Sequence, residues 1–398
     1  IASAGAIVAL KGSEFDIGGT SASIEVSGGR TGPGPSLAIK PIWSDGGTLT
    51  LGGNSLYFGG AIDAAGGSAL AAGGTINISA GNAIDGSGGA IVMAQIGDVT
   101  AALASASAPR TASGLAALGL ASGVAYITAD TINAAHPDSL ALTATTLAFA
   151  GDVALNVPGA LYLNGNVALL PAGATRLPAA PPVVDTTATL DAGYIRWRGI
   201  PAVPAAGGGT LDLNASVQID LAGVISASYA NAVNLSVSGG DIRFLPIAAA
   251  NPAGNVANLN YAAWSTSVLA VTGAGALPSA GALIVPGDLT LTAREVYPAT
   301  NTAFLLMSLG LGGTNGGTIA FHANGQSTYT PLSAGGAILV DARTILQGGA
   351  LYAPLGTSQL GYSANQSLPA FLIGTTADTG SNSYDPLTAV ATGADAPG

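Results

Sequence analysis

The sequence predicts an all-β protein, and within that class a parallel β-helix (β-solenoid) with loop insertions. Three observations support this: a short repeated unit, a period-two alternation of apolar residues inside each unit, and glycines at the unit boundaries. Alternation with period two is typical of strands that bury one face. Glycine, asparagine, aspartate and serine between the strands favour turns.

The repeated unit consists of one or two glycines, then Thr or Ala, then an apolar-x-apolar triplet. It occurs as GGTLTL at 46–51, GGTINI at 73–78, GGAIVM at 88–93, GGTLDL at 208–213, GGTIAF at 316–321 and GGAILV at 335–340. Short strands come in groups of two or three, and each group spans roughly 15 to 27 residues, as one coil of a solenoid would. About 15 to 18 coils at ~4.8 Å each would give a rod of roughly 70–85 Å.

One repeat, from 335 to 362, shows which residues should line the interior. There we expect Ile338, Val340, Ile345 and Leu351 to point inward and to stack on equivalent residues of the next coil. Glycines should occupy the corners, because they adopt positive φ at little cost.

Composition excludes several classes of protein. Charged residues are 8% of the 398 and the net charge is −11, so nucleic-acid binding is disfavoured. A mean hydropathy of +0.51 argues against disorder. No apolar run reaches the ~18 residues of a membrane-spanning helix, so the chain is not expected to cross a membrane. It has no cysteine, which suits a protein exported unfolded and stabilised by backbone ladders.

We expect one β-helix over residues 1–377, followed by a capping loop or linker tail at 378–398. Insertions are predicted at about 100–123, 171–209 and 246–281, where the repeat fails. The first insertion is rich in Ala and Ser and suits a short helix on either side of Pro109, and the second is too rich in proline for interior strands. Such loops either carry binding or cover apolar faces of the solenoid.

The repeat at 335–356 resembles those of filamentous haemagglutinin-type bacterial exoproteins, which are exported by the two-partner secretion route. The matching motifs are GGAILV at 335–340, the segment 345–349, and ALYAPLG at 350–356; GGAIDAAGG at 59–67 is similar to turns of that family. The resemblance implies a right-handed parallel β-helix, export across the outer membrane to the cell surface or medium, and a role as adhesin, filament or stalk. The asparagine-rich motifs of that family's secretion domain are absent, so the chain would be an internal or carboxy-terminal segment.

The densest cluster with binding character is Tyr194, Arg196, Trp197 and Arg198. Alternation places Tyr194, Arg196 and Arg198 on one face, which suits a glycan or an acidic partner through stacking and guanidinium hydrogen bonds. The other interpretation is a plain strand with Trp197 in the core and arginines paired with local acids such as Asp191. Both interpretations remain open at this stage.

The sequence offers little support for catalysis, a cofactor or a metal. His136 and His322 are far apart, and the 21 acids are scattered with no Asp-Asp or Asp-x-Asp pair. We therefore expect a non-catalytic structural protein that self-associates into filaments or lateral arrays and contacts a host or bacterial surface glycan or protein. The alternatives are a carbohydrate-active β-helix enzyme, which needs two carboxylates converging in a groove, and a glycan-binding module.

Overall fold

The structure is a computed structural model of the whole chain. It describes residues 2–16, 21–24, 40–81, 89–97, 120–178, 184–200, 202, 204–245, 279–310, 317–329, 331, 333 and 336–361. The predicted tail at 378–398 and most of the insertions at 100–123 and 246–281 lie outside these residues, as does the short helix predicted around Pro109.

The described residues form 21 strands and one helix. The strands are β1 (Ala2–Asp16), β2 (Ser21–Ile24), β3 (Lys40–Trp43), β4 (Thr48–Asp63), β5 (Thr75–Ala80), β6 (Ala90–Ala94), β7 (Val124–Thr128), β8 (Ser139–Ala150), β9 (Val153–Leu170), β10 (Thr187–Gly199), β11 (Gly209–Ser228), β12 (Ala230–Val237), β13 (Asp241–Leu245), β14 (Ser279–Val285), β15 (Asp288–Ala293), β16 (Val296–Pro298), β17 (Thr302–Ser308), β18 (Thr318–Ala323), β19 (Ala337–Asp341), β20 (Thr344–Gly348) and β21 (Thr357–Leu360). The helix, α1, spans Ala129–Ala135. The predicted all-β class is confirmed.

Nineteen of the described strands join one sheet, and every pairing recorded within it is parallel. The pair β2–β3 is antiparallel and separate. Parallel neighbours cannot be joined by tight hairpins, so the chain must make a longer excursion before each pairing. Side chains that bond across neighbouring strands are accordingly 21, 22, 23 and 27 residues apart, within the predicted repeat length.

The parallel pairings fall into three ladders. The first contains residues 153–157 of β9, 187–192 of β10 and 210–215 of β11, then β12, β15, β18 and β20. The second contains parts of β1, β4, β5, β8, β9, β10 and β11, then β13 and β16. The third contains residues 56–57 of β4, then β7, β6, the ends of β8, β9 and β11, and finally β14, β17, β19 and β21.

Two sequence predictions need correction here. Several strands are much longer than the short strands of the repeated unit, and β11 has 20 residues, because pairing continues from one ladder into the next across a register shift such as that at Ala192/Tyr194. Strand β10 lies inside the range 171–209 that was predicted to be an insertion; the prolines of that range fall before Thr187 and after Gly199, so they do not interrupt it.

Large apolar side chains stack in rows through the core. One row follows the first ladder, and each of its members is at most 1% exposed: Leu155, Leu190, Leu213, Leu235, Leu291 and Phe321. A second row follows the second ladder: Leu161, Ile195, Ile219, Ile242 and Val296. The inward positions predicted in the last repeat are confirmed, with Ile338, Val340 and Ile345 in the core and Leu351 partly buried against it.

Several glycines are required for a reason different from the one predicted. A Cβ on Gly240 would lie 1.9 Å from the carbonyl oxygen of Val217, and one on Gly287 would lie 1.9 Å from that of Asn231. Here the backbone of the neighbouring level, meaning the next strand along the stack, passes too close for any side chain. Positive φ explains other glycines, including Gly151 at 77° and Gly223 at 79°.

The third ladder buries both of its faces. The face turned away from the main core carries Tyr57, Val92, Tyr126 and Leu170, which form a second apolar cluster with neighbouring residues. Leu120 belongs to this cluster, and Ala121 and Ala174 pack against it. All three residues lie inside the ranges 100–123 and 171–209 that were predicted to be insertions, so in the described part of the chain these segments cover an apolar face.

Helix α1 closes one edge of the first ladder. Asn133 donates a hydrogen bond from Nδ2 to the carbonyl of Ala154 (2.9 Å) and accepts one at Oδ1 from the amide of Asn156 (2.9 Å). These bonds satisfy backbone groups of β9 that would otherwise form an open strand edge. No helix in the described residues has the length and apolar character needed to cross a membrane.

Candidate functional site

The segment Tyr194–Arg198 lies in the second ladder, within β10. Ile195 and Trp197 are 0% exposed, and the Trp197 indole N–H donates to the carbonyl of Gly165 at 3.0 Å. Tyr194, Arg196 and Arg198 lie on the opposite side and are partly exposed. Of the four predicted binding residues, three share a surface, while Trp197 belongs to the core and is not accessible to a surface ligand.

The outward side chains of the second ladder form a row across five levels: Tyr162, Arg196, Asp220, Arg243 and Tyr297. Asp220 is 1% exposed and lies at the centre of this row. A buried carboxylate is costly unless donors surround it, and the neighbouring levels supply those donors.

Four hydrogen bonds hold the Asp220 carboxylate. Arg243 donates from Nε to Oδ1 (3.1 Å) and from Nη2 to Oδ2 (2.8 Å). The Tyr194 hydroxyl donates to Oδ2 at 2.8 Å, and Gln218 donates to Oδ1. The bidentate, charge-assisted geometry is a strong and specific one, and it connects three successive levels of the ladder.

This environment changes the protonation of the groups around Asp220. Burial, together with the hydrogen bond to Asp220, raises the pKa of Tyr194 well above its ordinary value of 10.0. The pKa of Arg243 is also raised, chiefly by its hydrogen bonds to Asp220. Tyr194 therefore remains a neutral hydrogen-bond donor across the physiological range.

A second carboxylate, Asp241, has a similar arrangement. Arg294 donates from Nε and Nη2 to the two oxygens of Asp241, each at 2.9 Å. The Tyr329 hydroxyl donates to Oδ2 of Asp241 at 2.9 Å and accepts from Arg294 at 2.6 Å. The Arg294 guanidinium also lies 4.2 Å from the centre of the Tyr329 ring, a cation–π contact.

Glu295 is the third acid in this region, and it has no cationic hydrogen-bond partner in the described residues. Its side chain is 0% exposed; Oε1 accepts a hydrogen bond from the amide of Tyr329, whereas Oε2 has no partner. Burial raises the pKa of Glu295 above its ordinary value of 4.5.

The arrangement stabilises the fold more obviously than it prepares a reaction. Asp220 and Asp241 are on neighbouring strands, but each is engaged by an arginine and a tyrosine, which neutralises its charge. The enzyme alternative requires two carboxylates converging in an open groove. Among the described residues, no group of three His, Asp or Glu side chains is close enough to hold a metal ion.

The arginines of the predicted cluster do not pair with Asp191. Asp191 belongs to the first ladder, where it accepts a hydrogen bond from Asn214, while Arg196 and Arg198 point outward from the second ladder. Within the described residues no carboxylate pairs with either arginine, and Nε of Arg196 is buried without a partner. The positive charges of Arg196 and Arg198 are therefore not paired with a negative charge in the described part of the site.

Sequence reasoning missed the Asp220 and Asp241 networks. Apart from Gln218, which is two residues from Asp220, their partners are 23, 26, 53 and 88 residues away, and the unit repeat does not predict pairing across such variable excursions. The alternation Asp241-Ile242-Arg243 was the available signal, because it places an acid and a base on the outward face of one short strand.

Comparisons of the chain with protein-family models, with curated proteins and with solved structures found no match.

Proposed function

We propose that the chain is a rigid, non-catalytic segment of an exported bacterial surface protein of the filamentous haemagglutinin type. In this proposal the three ladders wind as a right-handed parallel β-helix, and the segment serves as a stalk or filament for adhesion or matrix assembly. Right-handed winding is expected because parallel crossover connections have that hand in about 98% of cases.

The uninterrupted core row from Leu155 to Phe321 is the observation that carries the proposal. Each level stacks its aliphatic side chain on the same position of the next, so every level supports its neighbours. Backbone hydrogen bonds then run along the stack. The Asp220 and Asp241 networks add side-chain hydrogen bonds between successive strands. Such a body gains rigidity without a disulfide, in a chain that has no cysteine.

Engineered disulfides test the stacking, because the natural chain has no competing thiol. Thr189 and Asp212 are register partners on adjacent strands, at the ~4.8 Å separation that a disulfide can bridge. The double variant Thr189→Cys/Asp212→Cys should oxidise to an intramolecular disulfide. The matched control Thr189→Cys/Asn234→Cys is two levels apart, at about 10 Å, and should not. Cross-linking of both pairs or of neither would contradict the stacking.

The filament role is tested separately by electron microscopy and light scattering of the native chain. Exposed apolar side chains such as Leu70 (80% exposed), Ile96 (72%) and Leu355 (92%) lie on a surface with few charges, and such surfaces favour contact between molecules. We expect rods or lateral arrays that grow with protein concentration. A monodisperse monomer at high concentration would contradict self-association, whatever the disulfide experiment shows.

Arg196 and Arg198 favour a second candidate function, the binding of an acidic glycan or acidic protein segment. The specific observation is that both side chains are partly exposed and that neither guanidinium has a carboxylate partner in the described residues, so an incoming anion would meet two unpaired cations. Binding of heparin that is lost in Arg196→Gln and Arg198→Gln, with folding retained, would support it. Equal binding by wild type and both variants would contradict it.

A further inference from the structure

A trough of about 440 Å³ lies where the first ladder meets the second. Its polar lining includes Asn156, Asp191, Asn214, Ser216, Ser236 and Ser238. None of these residues belongs to the cluster predicted from the sequence or to the networks around Asp220 and Asp241.

Four of the lining residues occupy the same position on four adjacent strands. Asn156 pairs in register with Asp191, Asp191 with Asn214, and Asn214 with Ser236. Their side chains therefore repeat at the strand spacing of ~4.8 Å along the stack. A row of hydrogen-bonding groups at a regular spacing suits an extended ligand with a repeating structure.

The central pair of the row is preorganised. Asn214 donates from Nδ2 to Oδ1 of Asp191 at 2.9 Å, which fixes both planar groups and leaves Oδ2 of Asp191 and Oδ1 of Asn214 as acceptors. Groups that are fixed before binding lose less conformational entropy when a ligand arrives. The side-chain carboxamide of Asn156 and the hydroxyls of the three serines add groups that donate as well as accept hydrogen bonds.

The chemistry of the lining selects the class of ligand. Asp191 is the single charged residue among those that line the trough, and it is negative, so an anionic polymer would be repelled. The apolar lining is limited to Pro158 and to the small residues Ala192, Gly193 and Ala215, which offers little to an apolar molecule. Carboxylate, carboxamide and hydroxyl groups together match the paired hydroxyls of a sugar.

We infer that this trough binds an extended, uncharged polyhydroxylated chain, namely a neutral glycan lying along the stack of strands. The inference depends on the geometry of the described residues and not on the filament role. It differs from the second candidate above in place and in charge: the trough takes neutral sugars at Asp191, whereas Arg196 and Arg198 would take anions.

The test uses the full chain and a panel of neutral polysaccharides, namely β-glucan, galactan and chitin-derived oligosaccharides, with heparin as the anionic comparison. Asp191→Ala should weaken binding of the neutral glycan by about tenfold or more, the loss expected for a hydrogen bond to a charged acceptor. Ser236→Tyr should abolish binding by filling the trough. Asp212→Ala is the matched control, because Asp212 accepts a similar bond from Asn234 (2.8 Å) in the same ladder but is not part of the trough lining.

Calorimetric binding curves and thermal unfolding would be measured for each variant. Loss of neutral-glycan binding in Asp191→Ala and Ser236→Tyr, with binding intact in Asp212→Ala, would establish the site. Absence of binding to every neutral glycan would overturn the inference, as would binding that persists in Ser236→Tyr. Binding of heparin alone would also overturn it, and loss of that binding in Arg196→Gln would assign the ligand to the arginines. Rod formation is measured independently, so failure here would leave the filament proposal standing.

Discussion

Arg243 donates hydrogen bonds to both oxygens of the buried Asp220 carboxylate, at 3.1 and 2.8 Å, from the adjacent strand of the second ladder. The Arg243 side chain remains 35% exposed while that of Asp220 is 2% exposed. The acid has therefore lost most of its water and depends on Arg243, Tyr194 and Gln218 for its hydrogen bonds. The ion pair links β11 to β13. It therefore helps to fix the register between these two strands, which would otherwise depend on apolar packing in the core alone.

Removing the Asp220 carboxylate should destabilise the protein markedly. Asp220→Ala would leave the Tyr194 hydroxyl and part of the Arg243 guanidinium without an acceptor, and we expect a loss of about 2–4 kcal/mol in the free energy of unfolding. Asp212→Ala removes an acid from a partly exposed side-chain pair and should cost less than about 1 kcal/mol. Urea denaturation of both variants measures the difference; similar midpoints would show that the Asp220 network contributes little.

Glu295 provides a pH-dependent prediction. Its pKa is raised in the folded state above the ordinary 4.5 because burial disfavours the charged form. The stabilisation that it contributes is therefore present below the unfolded pKa and is lost as pH rises through the folded pKa. Glu295→Gln keeps the acceptor for the Tyr329 amide and removes the buried charge, so it should unfold at a higher temperature than wild type at neutral pH.

The same comparison over a falling pH series supplies the control for Glu295. As pH falls through the raised folded pKa, wild-type Glu295 becomes protonated and resembles glutamine, so the difference in melting temperature should shrink. A variant that is less stable than wild type at neutral pH would show that the carboxylate has a favourable partner. A difference that does not depend on pH would show that Glu295 does not titrate in this range.

Trp197 tests the assignment of that residue to the core rather than to a binding surface. Trp197→Ala removes a large, fully buried side chain and should cost about 3–5 kcal/mol. Trp197→Phe keeps most of the volume but leaves the Gly165 carbonyl without its donor, so a smaller loss of about 1–3 kcal/mol is expected. Chemical denaturation gives both values. If Trp197→Ala changed the free energy of unfolding very little but abolished ligand binding, Trp197 would belong to the surface site and not to the core.

The parts of the fold that depend on local pattern were predictable, and those that depend on long-range register were not. Alternation correctly placed Ile338 and Val340 inside, and it separated Ile195 and Trp197 from the arginines beside them. It missed the length of β11 and the position of β10, because strand continuity across a corner depends on the neighbouring level.

The candidate sites depend on register in the same way. Asp191 and Asn214 become partners through the excursion between β10 and β11, and Asp241 meets Tyr329 through an excursion of 88 residues. The length of each excursion decides which side chains become neighbours, and no rule in the repeated unit fixes that length. The charged cluster was visible in the sequence because its members are contiguous, whereas the trough was not.

Tyr57 tests whether the segment after residue 119 covers the third ladder. Its hydroxyl donates to the carbonyl of Ala121 at 2.5 Å, and burial raises its pKa from 10.0 to about 12. A raised folded pKa means that the stabilisation holds below the unfolded pKa of 10.0 and is lost as pH rises towards 12. Wild type should therefore lose stability in this alkaline window. Tyr57→Phe should lose less, since phenylalanine does not titrate, although it should be less stable by about 1 kcal/mol near neutrality through the lost hydrogen bond.

Thermal unfolding across the alkaline range measures both effects, and phenolate absorbance follows the titration of the tyrosines directly. Parallel alkaline losses in the two proteins would mean that Tyr57 is not buried beneath Ala121.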